Sequence, residues 1–284
     1  MFPIDLTGHV GLVMGVTNQR SLAWSIAQPL AQAGAQLVYS YQGERLLPSL
    51  EKLTEGQDAD LVACDVTDDA QLDALFAHVR ERHGRLDYLV HALAYAPPVT
   101  FERPFHQVSR ADWRLAMDVS AYSLVAVSQR AVPLMSPGGA IVTLSYLAAE
   151  RVVPHYNMMG VAKAALEASV RYLAYEFGPR GVRVNAVSAG PVRTVAARSI
   201  SGFGDMFSEG GKQSMMRRNI TAEEVGTMAF ALLTPQLGGG VTGEVLYVDA
   251  GFHAIGMFIP PGYRDQRDAD ADGVDAAGAV SEGS

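Results

Sequence analysis

Short apolar runs alternate with amphipathic stretches along most of this 284-residue chain, and that alternation limits the fold more than any other feature. Residues 9–15 (HVGLVMG) form an apolar run that stops on glycine. Residues 22–33 carry a helical pattern closed by Gly34, and 35–41 (AQLVYSY) form a second apolar run. A β-loop-α-β unit of about 30 residues is the size of a mononucleotide-binding half. The pattern then repeats: helices are predicted over 44–53, 69–82, 111–135, 157–177 and 222–233, and strands over 60–64, 86–93, 140–145, 182–187 and 244–248. Within 69–82, Leu72, Leu75, Phe76 and Val79 recur at the spacing of one helix face. Strands separated by helices of this length pair in parallel, and a parallel sheet is covered on both faces. The expectation is an α/β protein with a single Rossmann-type domain over residues 1–263, built on a seven-stranded parallel sheet with helices on both faces.

Composition narrows the function. Half of the net charge of −8 falls in residues 264–284, where six acids face two arginines among Ala, Asp and Gly, so this acidic tail is expected to be disordered. No basic run or stripe is present, which argues against a nucleic-acid partner. Cys64 is the one cysteine, so no intrachain disulfide forms, and a reducing, cytoplasmic setting is expected. Neither a signal-type N-terminus nor an apolar run of membrane-spanning length is seen, so no membrane role is expected.

The chemistry concentrates around residues 144–163 (LSYLAAERVVPHYNMMGVAK), where an apolar strand ends on small polar residues and a helix begins. Tyr156 and Lys163 lie seven residues apart, nearly two helical turns, so both project from one face. A phenol beside an ammonium has its ionised form favoured, which makes it a better proton donor. The ammonium itself offers three donors to a ribose diol. Tyr146 follows the strand directly and faces the same space. At the first turn, Gly15 and the helix-opening Ser21, a candidate N-cap, suit a pyrophosphate, although G-x-G-x-x-G is absent. The acid that would bind a ribose 2′-hydroxyl at the end of strand two is replaced by Gln42, whose uncharged amide accepts that hydroxyl and favours NADH over NADPH, while the nearby Arg45 argues the other way. Asp65 either accepts from an adenine amino group or is a turn-forming acid. Residues 194–213, apolar and punctuated by Gly202, Gly204, Gly210 and Gly211, read either as a mobile lid after a strand end or as surface helices with flexible joints. His91, His155 and His253 read as structural, Cys64 as a small buried residue, and no metal site is read.

Several segments carry a resemblance. Residues 15–23 (GVTNQRSLA) match a G-x5-S-x-A loop, Tyr41-Gln42 the end of strand two, Cys64-Asp65-Val66 strand three, and 90–97 strand four. Leu144-Ser145-Tyr146 with Tyr156-x6-Lys163, 183–194 and 243–252 extend the match to about residues 3–257. The chain resembles the divergent short-chain dehydrogenase/reductases, and within them the bacterial NADH-dependent enoyl-(acyl-carrier-protein) reductases. Ketone-reducing members carry Tyr-x3-Lys; here Gly160 takes that lysine's place. The resemblance implies reduction of a trans-2-enoyl thioester by hydride from NADH in type II fatty acid synthesis. Tyr156 would hydrogen-bond the thioester carbonyl, with Lys163 on the nicotinamide ribose and Tyr146 beside them. It also implies cofactor contacts at Gly15, Ser21 and Leu22 in the first turn, and at Gln42, Asp65 and Val66 after strands two and three. Ala94, where many relatives have Gly, and Val192 and Thr194 near the carboxamide and pyrophosphate complete the set. Met159, Ile200 and Phe203 would line the acyl pocket, with ordinary core packing as the rival reading. Acyl carrier protein is the implied acidic partner, with Arg193, Arg198, Lys212, Arg217 and Arg218 available to receive it. Relatives of this type are homotetramers, and the apolar stretch 252–261 would suit a subunit interface. Two other readings stand beside this one: a carbonyl reductase of the same superfamily, and a nucleotide sensor that kept the fold and lost activity.

Overall fold

The alternation is realised in a computed structural model that describes residues 4–194 and 203–257. The chain divides into two compact units, Met1–His253 and Ala254–Ser284; the first holds every element discussed below. Its strands are β1 (Val10–Met14), β2 (Gln36–Tyr41), β3 (Ala59–Ala63), β4 (Leu86–His91), β5 (Met135–Ser145), β6 (Arg183–Ala189) and β7 (Val245–Val248). All neighbours pair in parallel, in the order β3-β2-β1-β4-β5-β6-β7. Strand order reverses between β1 and β4, and in such sheets a crevice opens beyond the carboxyl ends at that point.

Helices cover both faces. On one side α1 (Leu22–Gln32), α2 (Leu47–Leu53) and α9 (Ala222–Leu233) bury Ile26, Leu30, Leu50, Val225 and Ala229 against Val13, Tyr39 and Val142. On the other, α3 (Asp69–His83), α6 (Ser123–Ala131) and α7 (Asn157–Phe177) bury Leu72, Phe76, Val127, Leu166 and Val170 against Leu12, Met14 and Ile141. Leu12 and Met14 face one layer and Val13 the other, which is why the strands read as unbroken apolar runs. The short α4 (Val99–Glu102), α5 (Arg110–Met117) and α8 (Phe203–Gln213) lie between these elements in sequence. At Gly226, an added Cβ would lie 2.2 Å from the Ser25 carbonyl oxygen, so α1 and α9 approach at backbone contact.

Two sequence expectations need correction. The long helix over 111–135 is interrupted: α5 ends at Met117, Asp118–Tyr122 is π-helical, and α6 ends before Pro133. The Ser120 hydroxyl accepts from the Tyr95 N–H and donates to the Tyr95 carbonyl, both at 2.9 Å, and Ser123 donates to the Val119 carbonyl. The two Ser120 bonds tie the widened turn to the segment after β4. The helix over 44–53 is also split, into a 3₁₀ turn (Glu44–Leu46) and α2, with Pro48 in the first turn of α2.

Arg183 opens β6 with its guanidinium buried, donating to the carbonyls of Leu232, Leu233 (2.9 Å) and Gly238 (2.8 Å). The Leu232 and Leu233 carbonyls close α9, where the last carbonyls lack intrahelical partners. Arg183→Met leaves the Leu232 and Leu233 carbonyls without this donor, while Gly238 keeps the Val241 N–H (3.0 Å), and is expected to lower stability by about 3 kcal/mol. Denaturant unfolding tests this; an unchanged midpoint would mean that the carbonyls are satisfied elsewhere.

Candidate active site

A cleft of ≈ 580 Å³ opens where β1, β4, β5 and β6 end. All ten predicted cofactor residues, Gly15, Ser21, Leu22, Gln42, Asp65, Val66, Ala94, Lys163, Val192 and Thr194, line it, together with Tyr146, Tyr156 and Met159. The first turn is built for close approach. Gly15 has φ +100, and an added Cβ would lie 2.2 Å from the Ala92 carbonyl oxygen, so only glycine fits between β1 and β4 here. Ser21 occupies the N-cap position of α1 but makes no side-chain cap. Its hydroxyl turns back into the loop, accepting from the N–H groups of Thr17 and Asn18 at 3.0 Å and donating to the Asn18 carbonyl at 2.7 Å. The predicted capping role is thus replaced by one that shapes the loop. A cradle that excludes a Cβ, next to a helix N-terminus, fits a dinucleotide pyrophosphate.

The Gln42 amide nitrogen donates to Asp65 at 2.8 Å, which orients the amide oxygen as its remaining acceptor. Asp65 also accepts from the Thr67 N–H (2.9 Å) and hydroxyl (2.7 Å). Burial works against its ionisation, but the bonds from Thr67 and Gln42 outweigh this and hold the carboxyl below its ordinary range. Asp65 is therefore a turn-forming acid that also faces the cleft.

Tyr146 and Tyr156 pack with ring centroids 4.9 Å apart. Tyr156 precedes the first residue of α7, and both its neighbours, His155 (φ +66) and Asn157 (φ +42), are left-handed. The Asn157 side-chain amide donates to the carbonyls of Thr100 (3.0 Å) and Arg103 (3.1 Å), fixing this corner to α4. Lys163 is buried, and its ammonium donates to the Leu144 carbonyl at 2.7 Å. Burial pushes its pKa down to about 8 against the opposing pull of Glu167. The expectation of an acidified Tyr156 is not met. Burial, with a contribution from Tyr146, pushes the phenol up, so it stands as a neutral hydrogen-bond donor. Burial and then Asp249 raise Tyr146 as well. His91 is a buried structural residue, between the hydroxyls of Thr143 (2.9 Å) and Ser123 (2.8 Å). Burial and the Lys163 charge push its pKa down to about 3, so the imidazole is neutral. Cys64 is buried, and burial and neighbouring acids raise its pKa to about 11.

Glu167 was not anticipated. It lies one turn beyond Lys163 on α7, 5% exposed, and accepts from the Ser145 hydroxyl at 2.5 Å. Burial raises its pKa against the Ser145 bond. The i, i+4 spacing from Lys163 was the available signal.

The basic residues meant for an acidic partner are more engaged than expected. Arg218 forms a two-pronged pair with Glu224 (2.6 and 2.9 Å), which itself belongs to the capping box of α9. Lys212 pairs with Glu209, Arg217 donates to the Lys212 carbonyl, and Arg193 stacks over Phe207. Arg198, Ile200, most of the 194–202 part of the expected lid, the Phe203 side chain, residues 258–261 and the tail 264–284 lie outside the described residues. Residues 203–213 of that expected lid are the helix α8.

A doubly wound parallel sheet with a glycine turn at its switch point, facing a half-buried Tyr and a buried Lys, defines a nucleotide-binding protein of the short-chain dehydrogenase/reductase type. A sequence profile described as enoyl-(acyl carrier protein) reductase matches residues 15–253. The chain is 46% identical over 253 residues to enoyl-(acyl-carrier-protein) reductase (NADH) 1 of Rhizobium meliloti (strain 1021), covering 89% of this chain and 93% of that protein. The crystal structure of the Bacillus cereus enoyl-acyl carrier protein reductase with NADP+ and indole naphthyridinone superposes with a TM-score of 0.86 at 44% identity, over 89% of this chain and 100% of that one. The Anaplasma phagocytophilum reductase in complex with NAD superposes with a TM-score of 0.85 at 42% identity, over 90% and 97%. The chain belongs to the enoyl-(acyl-carrier-protein) reductase family.

Lys163 interacts with Glu167 on its own helix and with the neutral His91 on β4, and lines the same cleft as the two phenols. Deprotonation near pH 8 removes its charge, so kcat/KM is expected to fall on the alkaline side there. Because Glu167 favours the ammonium, Glu167→Gln moves that limb to lower pH, and Glu167→Asp restores part of the difference. A pH–rate series tests this; superimposable profiles would show that Glu167 has no hold on Lys163.

Proposed function

We propose that this protein is a cytoplasmic, homotetrameric, NADH-dependent enoyl-(acyl-carrier-protein) reductase of type II fatty acid synthesis. In this reading residues 1–263 are the catalytic domain and 264–284 an acidic tail apart from it. The observation that carries the activity is the half-buried Tyr156, seven residues before the buried Lys163, both lining the cleft that begins at Gly15. NADH, when bound, supplies the hydride that reduces the trans-2 double bond.

The chain's own residues do the rest. Tyr156 donates from its neutral hydroxyl to the thioester carbonyl oxygen, where negative charge develops as an enolate. A fixed donor aimed at that oxygen stabilises the transition state more than the ground state. Lys163 binds the nicotinamide ribose and keeps a positive charge beneath the reacting centre. Tyr146 packs on Tyr156 and limits its motion. Gly15, Ser21 and Leu22 receive the pyrophosphate. The Gln42 amide oxygen accepts a ribose hydroxyl and offers nothing to a 2′-phosphate, which favours NADH. Asp65 and Val66 would flank the adenine, Ala94 and Val192 the nicotinamide half, and Thr194 the pyrophosphate. Met159 lines the cleft on the acyl side, and Ile200 and Phe203 are assigned to that side by the family resemblance alone. No helix among the described residues is long and apolar enough to cross a membrane. Exposed aromatics on α5 and α7 (Trp113, Tyr172, Tyr175) supply apolar surface for contact between copies.

The primary test is oxidation of NADH and NADPH with a short trans-2-enoyl thioester, beside a β-ketoacyl thioester. Turnover of the enoyl substrate with NADH is expected; turnover of the keto substrate alone would move the protein to the carbonyl reductases. Tyr156→Phe is expected to lower kcat by about 100- to 1,000-fold with NADH binding unchanged. Equal loss of both would make Tyr156 structural. For the acyl-carrier-protein surface, Arg217→Glu is the cleaner probe, since Arg218→Glu would also break the pair with Glu224 that caps α9. It is expected to raise KM for the protein-bound substrate and not for a coenzyme A thioester. Equal effects on both would place the docking surface elsewhere.

A further inference from the structure

We propose that Asp60, His78 and His83 form a binding site for a divalent transition-metal ion of the zinc class, outside the active-site cleft. Asp60 is the second residue of the edge strand β3, at the opposite end of that strand from Asp65 and the cleft. His78 and His83 belong to the last turns of α3. The three residues are 18 and 5 positions apart, a spacing that matches no metal motif, and only the fold brings them together.

The geometry is convergent. The Nε2 atoms of His78 and His83 each lie 2.9 Å from the same oxygen, Oδ2 of Asp60. One ligand atom from each residue falls within 4.8 Å of the others. The imidazoles cross at 72° with centroids 6.4 Å apart, so they approach the shared point from different directions. The side chains of His83 and Asp60 are 3% and 18% exposed, whereas His78 is 39% exposed and leaves a path from solvent. Burial opposes ionisation of Asp60, yet the bonds from His78 and His83 outweigh it and hold the carboxyl below its ordinary range, so the oxygen is anionic.

Two imidazole nitrogens and one carboxylate oxygen are the donor set of zinc and its neighbours, with a fourth position for water. Calcium and magnesium need more oxygens than this site offers. Bonds of about 2.0–2.1 Å at a tetrahedral angle separate ligand atoms by about 3.3 Å, so the 2.9 Å contacts need open by only about 0.4 Å. Each histidine then presents its Nε2 lone pair to the ion and carries its proton on Nδ1. Arg82 is the competing cation: its Nε is 3.9 Å from the same oxygen, but it is 60% exposed and can withdraw into solvent. A bound ion would join the start of the edge strand to the end of the helix that follows it, and would stabilise the folded state because the unfolded chain has no such site.

The test uses the full-length, tag-free protein, stripped with a chelator and dialysed. Zn²⁺ is titrated by calorimetry, and Co²⁺ by its visible absorption, which reports four-coordinate N/O ligation. One equivalent of tight binding is expected, with a rise in Tm from Zn²⁺ and none from Mg²⁺. His78→Ala, at the half-exposed position, and His83→Gln are each expected to weaken binding at least tenfold, and the double variant to abolish it. Enoyl-thioester turnover confirms that each variant is folded, since neither residue lines the cleft. Absence of stoichiometric binding, or binding that survives the double variant, would overturn the proposal and leave the three residues as a hydrogen-bonded clasp.

Discussion

A positive charge buried beneath the end of β5 governs how the cleft is built. Lys163 emerges from α7 into the interior and donates to the Leu144 carbonyl at 2.7 Å. An ammonium removed from water is costly unless hydrogen bonds and opposite charge offset the loss. The surrounding structure answers that cost in two ways. Strand β5 ends so that a main-chain carbonyl points at the ammonium. The following residue, Ser145, turns its hydroxyl to Glu167, placing a carboxyl one turn further along the same helix. Burial still lowers Lys163 to about 8, which leaves a group able to lose its charge within the working range of an enzyme.

The same constraint explains the neighbours. His91 is neutral first because it is buried and second because the Lys163 charge opposes another cation, and hydroxyls occupy its two ring nitrogens. The phenols respond to burial rather than to the lysine. Tyr156 is raised, and Tyr146 raises it further by lying against it. A donor for a developing enolate oxygen should hold its proton, so a raised phenol suits the chemistry better than the acidified one that simple proximity to an ammonium suggests.

Much of this was legible in the sequence where a repeated physical pattern wrote it. The strands buried on both faces appear as continuous apolar runs, and α3 shows its face as Leu72, Leu75, Phe76 and Val79. Gly15, Gln42 and Asp65 were legible because strand ends in a parallel sheet all lead to one edge, Lys163 from its spacing to Tyr156, and the remaining cofactor residues from the family resemblance. What was not legible depends on partners distant in sequence. The π turn at Asp118–Tyr122 follows from Ser120 bonding Tyr95, 25 residues away. Ser21 has an N-cap residue's identity and position, but its hydroxyl is claimed by the loop before it. Arg218 looked available to an acidic partner until Glu224 was placed beside it.

These departures from local rules gather at the cleft. The π turn carries Val119 and, through Ser120, Tyr95 to its wall. Two left-handed non-glycine residues flank Tyr156, and such conformations persist only where the surroundings over-determine them. Here Asn157 supplies the restraint, its amide held by two carbonyls from the α4 region. An ordinary helical entry would carry Tyr156 along the surface of α7; the sharp corner instead turns it inward against Tyr146. The energy stored in that corner is offset by packing and hydrogen bonds that have no part in the chemistry. In the proposed mechanism the donor's position is thus fixed before any substrate arrives, and orienting it need not be repeated at each turnover.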